Sequence, residues 1–186
     1  MNIIYSLCDY SGAWAGPYYR AGYEVRLIDT KYGDDVRVLE KPSDPVYGIL
    51  AAPPCTDFAV SGAQYWPEKD KDGRTLASLA IIDACLRFIL ACDPVFWCLE
   101  NPVGRLPRWL GRPAMYFHPS EYGDPYTKKT ALWGRFNFPD KTPIEPIRAC
   151  KQGSWIQSLG GSSDRTKTLR SLTPPGFARA FFEANQ

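Results

Sequence analysis

Short apolar runs that stop abruptly at turn residues constrain this chain more than any other feature. Asn2 to Leu7 gives way to the small-residue stretch Cys8 to Gly16, and Tyr23 to Ile28, an alternating segment, stops at Asp29. Val46 to Ala52 is broken by Pro53-Pro54, and Val95 to Leu99 runs into Glu100-Asn101-Pro102. Runs this short read as strands rather than core helices. Asp35 to Leu39 alternates and is a further strand candidate. Between Thr75 and Cys92 the apolar residues recur at helical spacing (Leu76, Leu79, Ile82, Leu86, Ile89), which predicts a helix stopped by Pro94. A shorter helix is expected from Pro17 to Ala21, with proline in its first turn and Gly22 past its end. Strands alternating with helices predict an α/β fold, doubly wound around a mostly parallel sheet. At 186 residues a single domain is expected. Trp66 to Arg74 packs six charged residues around Pro67 and Gly73 and reads as an exposed, mobile loop.

Several function classes are excluded at this level. No run of about 18 apolar residues crosses the threshold for a membrane span. The start, Met1 to Ser6, lacks the basic region and long apolar stretch of a secretory signal, so a cytoplasmic protein is expected. The cysteines Cys8, Cys55, Cys85, Cys92, Cys98 and Cys150 show no CxxC spacing, and His118 is the sole histidine, so neither a zinc site nor a disulfide framework is expected. Charge is divided unevenly: residues 1–100 carry a net −5 and residues 101–186 a net +7. That division suits partners of different sign.

In an open α/β sheet, ligands bind outside the carboxyl ends of the strands. The rule selects Ser11-Gly12, Asp29, Pro53-Pro54-Cys55 and Glu100-Asn101 as neighbours on one rim. Pro53-Pro54 fixes the backbone and aims the Cys55 thiol, a nucleophile once it is deprotonated. Glu100, at the end of a core strand, would have a raised pKa and could donate a proton near neutral pH. Taken singly, each has a plain structural reading, a thiol after a turn or a loop-anchoring carboxylate. Together, a thiol and a carboxylic acid can activate an electron-poor ring, sulfur adding to a carbon while a ring nitrogen is protonated.

Five segments, in order, carry a family resemblance: Tyr10-Ser11-Gly12 with Ala21 to Val25; Pro53 to Phe58; Glu100-Asn101-Pro102; Glu121 to Thr130; and Arg170 to Pro175. They resemble the motifs of the cytosine-C5 DNA methyltransferases, most of all the short, phage-type members. The resemblance implies a Rossmann-like methyltransferase fold, S-adenosylmethionine (or a derivative) as donor, and DNA as substrate. It implies Cys55 as nucleophile on cytosine C6, with Glu100 assisting at N3 beside Asn101. Candidate cofactor residues are Tyr10, Ser11, Gly12, Trp14, Asp29, Asp35, Val36 and Pro53. Backbone amides around Ser11 and Gly12 would face the amino-acid part, Asp29 the ribose hydroxyls and Asp35 the adenine amino group. Candidate substrate residues are Pro54, Phe58, Ser61, Lys128, Lys129, Thr130, Arg165 and Arg170, with Lys167 in the same basic group. The Trp66–Arg74 segment could close over a flipped base.

The sequence departs from the family in three places. Ala13, Trp14 and Ala15 stand where glycines are frequent, and Lys128-Lys129 where arginines are usual. Only about 35 residues separate Gly134 from Arg170, too few for a full target-recognition domain. One catalytic domain over residues 1–186 is therefore expected, with its motifs in 1–134, a short basic segment at 135–165 and a closing motif and helix at 166–186. It would act as a monomer or homodimer. Two alternatives stay open: C5 methylation of free cytidine nucleotides, and a non-catalytic module that binds S-adenosylmethionine.

Overall fold

The computed structural model describes residues 1–149, 151, 153–159 and 163–186, the side chains of 164 and 167 excepted. Cys150 and the side chain of Lys167, both singled out above, lie outside that set.

Six strands form one sheet. In chain order they are β1 (Ile3–Leu7), β2 (Glu24–Ile28), β3 (Val46–Ala51), β4 (Phe96–Pro102), β5 (Met115–Phe117) and β6 (Thr130–Arg135). The helices are α1 (Gly16–Arg20), α2 (Trp66–Lys71), α3 (Arg74–Cys92), α4 (Pro107–Leu110), α5 (Trp155–Ser158), α6 (Asp164–Ser171) and α7 (Pro175–Ala184). Spatial order is β2-β1-β3-β4-β6-β5. The pairs β1/β2, β1/β3 and β3/β4 are parallel, while β6 runs against both β4 and β5. The sheet is thus mixed but mostly parallel, as expected, with three of its five pairings parallel and β6 the one strand that runs against its neighbours. After β4 the chain goes out to the edge as β5, then returns through residues 118–129 to fill the gap beside β4. A return without a helical crossover produces an antiparallel strand.

Alternation along the strands builds two cores. Ile3, Tyr5, Leu7, Ile49 and Leu99 face Ile82, Cys85, Phe88 and Ile89 of α3. Ile4, Leu50, Phe96 and Cys98 face Trp14, Tyr18 of α1 and Phe177 and Phe181 of α7. With both faces covered, the central strands β1, β3 and β4 are largely apolar, which is why they read as short runs, whereas the edge strand β2 alternates through Glu24 and Arg26. By length and composition alone, Arg74–Cys92 could cross a membrane; here one side of it packs on the sheet, the usual arrangement of a core helix.

Two local expectations are corrected. Val36–Val38 is a 3-10 turn and not a strand. Asp35 caps it by accepting from the Arg37 amide, Val36 enters the core, and Arg87 of α3 donates to the carbonyls of Val36, Arg37 and Leu39. Those carbonyls are thereby withdrawn from any sheet ladder. The charged segment after Cys55 is also not a loose loop. It folds as α2, stopped by Asp72 and Gly73, whose φ is +85°.

Candidate functional site

β2 and β3 flank β1 on opposite sides, so the strand order reverses at β1/β3, and the crevice beyond their carboxyl ends is the expected ligand position. An open depression of about 530 Å³ lies at the other pole, around Met1, Glu24, Asp44 and Tyr47. The residues with chemistry to offer are at the carboxyl rim.

At the end of β1 the backbone turns through Cys8, whose φ of +57° is left-handed. Asp9 organises the loop from there to Ala13. Its buried carboxylate accepts from Ser6 Oγ and Ser11 Oγ, both at 2.8 Å, and from the Gly12 amide at 2.8 Å. The Ala13 amide donates to Ser11 Oγ at 3.1 Å. The amides of Gly12 and Ala13 are therefore taken within the loop, which corrects the expectation that the Gly12 amide is free for a ligand. Asp9 was missed in the sequence. Its signal was an acid between two serines at a strand end, the pattern of a side chain that closes a local turn.

At the end of β2, Asp29 Oδ1 caps the Thr30–Tyr32 turn by accepting from the Lys31 amide at 2.9 Å. Its second oxygen has no partner among the described residues. The Lys31 ammonium lies 4.1 Å over the Tyr10 ring, and Tyr32 Oη donates to the Tyr10 carbonyl at 2.9 Å. Tyr10 and Asp29 thus border one stretch of the rim. Asp35 does not join them as a free acceptor, because both its oxygens bind the Arg37 guanidinium. That pairing holds its carboxyl at about 2.

Past β3, the Cys55 carbonyl accepts from the amides of Phe58 and Ala59 at 3.0 and 2.9 Å, which winds the chain into a tight turn below the thiol. Asn101 of β4, fully buried, donates from Nδ2 to the Pro53 carbonyl at 3.0 Å. This bond clamps the proline turn to the end of β4. Among the described residues Asn101 Oδ1 has no hydrogen-bond partner although it is buried, an acceptor left open at the strand ends.

Glu100, Lys128 and Arg170 complete the group around the thiol. Burial raises the Glu100 carboxyl, with Asp9 adding to the rise and Lys128 opposing it. Burial likewise pushes the Cys55 thiol up, helped by Glu100 and opposed by Lys128 and Arg170. Both groups therefore favour their neutral forms. Lys128 Nζ donates to the Arg170 carbonyl at 2.8 Å, and the Arg170 guanidinium reaches Ser61 Oγ at 3.3 Å. These contacts bind α6 to the loop beyond Cys55, so three of the expected substrate residues meet.

Others do not. Trp14 packs between Phe177 and Phe181 with 1% exposure and is a core residue. Phe58 is fully buried against Trp109. Thr130 is buried and bonds the Lys128 carbonyl, Val36 is in the core, and Lys129 turns toward Tyr116. Pro53 is buried beside exposed Pro54, and Arg165 is exposed on α6.

A buried ionic network behind Cys55 was also missed. Lys69 pairs with Asp57 at 3.0 Å and donates to the Thr56 carbonyl at 2.6 Å. Arg105 donates to the Asp57 carbonyl, to both Asp70 oxygens and to Thr75. It anchors α2 to α3 and to the segment after β4, so α2 is pinned in place and is no flexible flap.

Among solved structures, the chain is similar to a crystal structure of a protein assigned provisionally as a DNA modification methyltransferase, encoded within a prophage (E. coli). The TM-score is 0.51 at 16% sequence identity, over 88% of this chain and 56% of that one. The fold is shared. This chain spans little more than half the length of that neighbour. No protein-family model and no curated protein matches the sequence.

Proposed function

We propose that this protein transfers a methyl, or methyl-derived, group from S-adenosylmethionine to C5 of cytosine in DNA. The observation that carries the reading is the meeting of Cys55 and Glu100 on one rim, within electrostatic reach of each other and of Lys128 and Arg170. The methyltransferase-like neighbour, whose assignment concerns DNA, supports the same reading.

The residues present fit S-adenosylmethionine at the β1/β2 side of the rim. Asp29 has an oxygen open toward ribose hydroxyls, Tyr10 offers an exposed ring, and Gly12 at φ +63° brings the backbone close. When bound, the cofactor supplies an electrophilic sulfonium methyl. Cys55 Sγ, once deprotonated, adds to cytosine C6 while Glu100 gives its proton to N3. The addition makes C5 electron-rich and nucleophilic toward the methyl. Once C5 carries the transferred group, loss of the C5 proton to water expels Sγ as the thiolate, and the N3 proton returns to Glu100. Glu100 is suited to this role because burial raises its carboxyl toward the protonated form. Lys128 and Arg170 stabilise the thiolate as it forms. A cytosine in a duplex must leave the stack to reach them, at a cost of a few kcal/mol.

The test is nucleoside mass spectrometry on DNA from cells expressing the protein, beside a Cys55→Ala control. A 5-substituted deoxycytidine that is absent from the control is the expected result, and its mass identifies the transferred group. Unmodified DNA in both samples refutes the DNA reading and turns attention to free cytidine nucleotides or a non-catalytic module.

A further inference from the structure

Beyond the Cys55 rim lies a strip of aromatic rings and unpaired cations that the reaction does not use. Backbone hydrogen bonds make it continuous: the Val60 amide donates to the Val103 carbonyl at 2.9 Å, and the Val103 amide to the Lys129 carbonyl at 3.1 Å. From there Lys129 Nζ extends over the Tyr116 ring, 5.2 Å from its centre, on the edge strand β5. On the same side, Arg105 stands 5.0 Å from the Trp66 ring and 5.7 Å from the Trp109 ring, with Arg108 5.9 Å from Trp66. Trp109 is 43% exposed and Tyr116 41%.

The charge balance of the strip is one-sided. Arg108, Arg112 and Lys129 are exposed and form no ion pair among the described residues. The acid beside them, Asp70, is bonded by Arg105 and lowered further by Arg108. Glu121 pairs with Lys141, and Asp124 accepts from the Gly176 amide. A ring left partly open to water beside an unpaired cation offers a ligand both a stacking face and a positive charge.

We propose that this strip binds single-stranded DNA, with bases stacked on Trp109 and Tyr116 and phosphates against Arg108, Arg112 and Lys129. Aromatic faces accept any base, and cations interleaved with them track the phosphate backbone. A duplex hides its base faces in the stack, so this chemistry suits an unpaired strand. Residues 135–165 are too few for a groove-reading domain, and the strip would supply the strand contacts in its place. The inference takes from the proposed function only the choice of deoxyribose.

The experiment is fluorescence-anisotropy titration of the whole chain, without cofactor, with a labelled dT20 oligomer and with a 20-base-pair duplex. Neither measurement involves catalysis, so a failure of the C5 chemistry leaves the result readable. Trp109→Ala and Tyr116→Ala are each expected to weaken dT20 binding by about 5- to 150-fold, with Trp109→Phe restoring most of the loss. Because Trp109 also packs on Phe58, Tyr116→Ala on the edge strand carries the test if Trp109→Ala fails to fold. Removing the three cations together (Arg108→Gln, Arg112→Gln, Lys129→Gln) should reduce the slope of log affinity against log salt by about 2. The proposal is overturned if Tyr116→Ala binds dT20 as the wild type does, if the duplex binds more tightly than dT20, or if U20 RNA binds more than tenfold more tightly.

Discussion

Replacing Gly104 by alanine is expected to damage both the stability of this protein and the geometry of its candidate site. Gly104 forms an isolated bridge with Ala59, where the segment after β4 crosses the loop below Cys55. An added methyl would lie 1.8 Å from the Phe58 carbonyl oxygen, 2.7 Å from its carbon and 2.9 Å from Ala59 Cα. All three are backbone atoms, so no side chain can rotate away. The φ of Gly104 is not left-handed, and the whole effect therefore comes from contact. Relieving it requires the two segments to part by about 1.5 Å, which strains the packing by roughly 1–3 kcal/mol. The same movement stretches the bonds from Arg105 N to Phe58 O and from Val60 N to Val103 O, both 2.9 Å, at about 1 kcal/mol each. The expected loss is thus about 3–5 kcal/mol, which a domain of ordinary stability survives. The displacement reaches the thiol because Phe58 and Ala59 both donate to the Cys55 carbonyl. A shift near 1 Å at a reacting group costs on the order of 100-fold in rate. Urea unfolding measures the first effect. Peptide-level alkylation of Cys55, with mass spectrometry as the readout, measures the second without any substrate. An unfolding free energy within about 0.5 kcal/mol of wild type, a loss no larger than an ordinary surface substitution, would refute the close-approach argument. Gly111→Ala is the contrast, since its added methyl meets nothing within 4 Å and only its backbone conformation (φ +74°, ψ −168°), a region essentially confined to glycine, opposes the change; about 1–3 kcal/mol is expected there.

Above the pH at which Glu100 ionises, Glu100→Gln should speed Cys55 alkylation, because it removes the carboxylate that then raises the thiol, whereas Lys128→Met should slow it by removing an opposing cation; rates that move together in one direction would contradict the assignment. Glu100 is raised in the folded protein, so its stabilising contribution is complete below its ordinary value of 4.5 and is lost as pH rises through the folded value. Melting curves from pH 4 to 8 should therefore show Glu100→Gln gaining on wild type as pH rises through the folded value of Glu100. Lys69→Met should cost roughly 3–5 kcal/mol by leaving Asp57 buried without its cation, and adding Asp57→Asn should recover part of it; equal losses in the single and double variants would show the pair is not coupled. Trp14→Ala should destabilise by about 3–5 kcal/mol as a core cavity. Trp14→Phe, if it folds, should keep wild-type S-adenosylmethionine affinity by calorimetry, and a tenfold loss would return Trp14 to the cofactor site.

Much of the sheet was legible because strands buried on both faces leave a one-dimensional trace: unbroken apolar runs, each closed by a turn signal. The same holds for α3, observed within one residue of its expected start, and for the strand-end positions of Cys55 and Glu100. Asp35–Leu39 misled because alternation in five residues cannot distinguish an exposed strand from a turn whose one buried valine sits under a helix. Trp14 misled because an aromatic residue in a motif loop looks the same whether it faces a ligand or the core. The decision came from Phe177 and Phe181, more than 160 positions away in the chain.

By itself, the sequence determined which residues carry reactive groups and that four short strands would end near them, since strand length and turn chemistry are local properties. Only the tertiary structure decided what those groups feel. β6 returning antiparallel brings Lys128 to the thiol, and α6 brings Arg170. The turn after β1 brings Asp9 near Glu100, and the Arg105 network fixes as a helix what composition presented as a loose charged loop. Electrostatic environment is set by neighbours distant in the chain, and no local pattern records them.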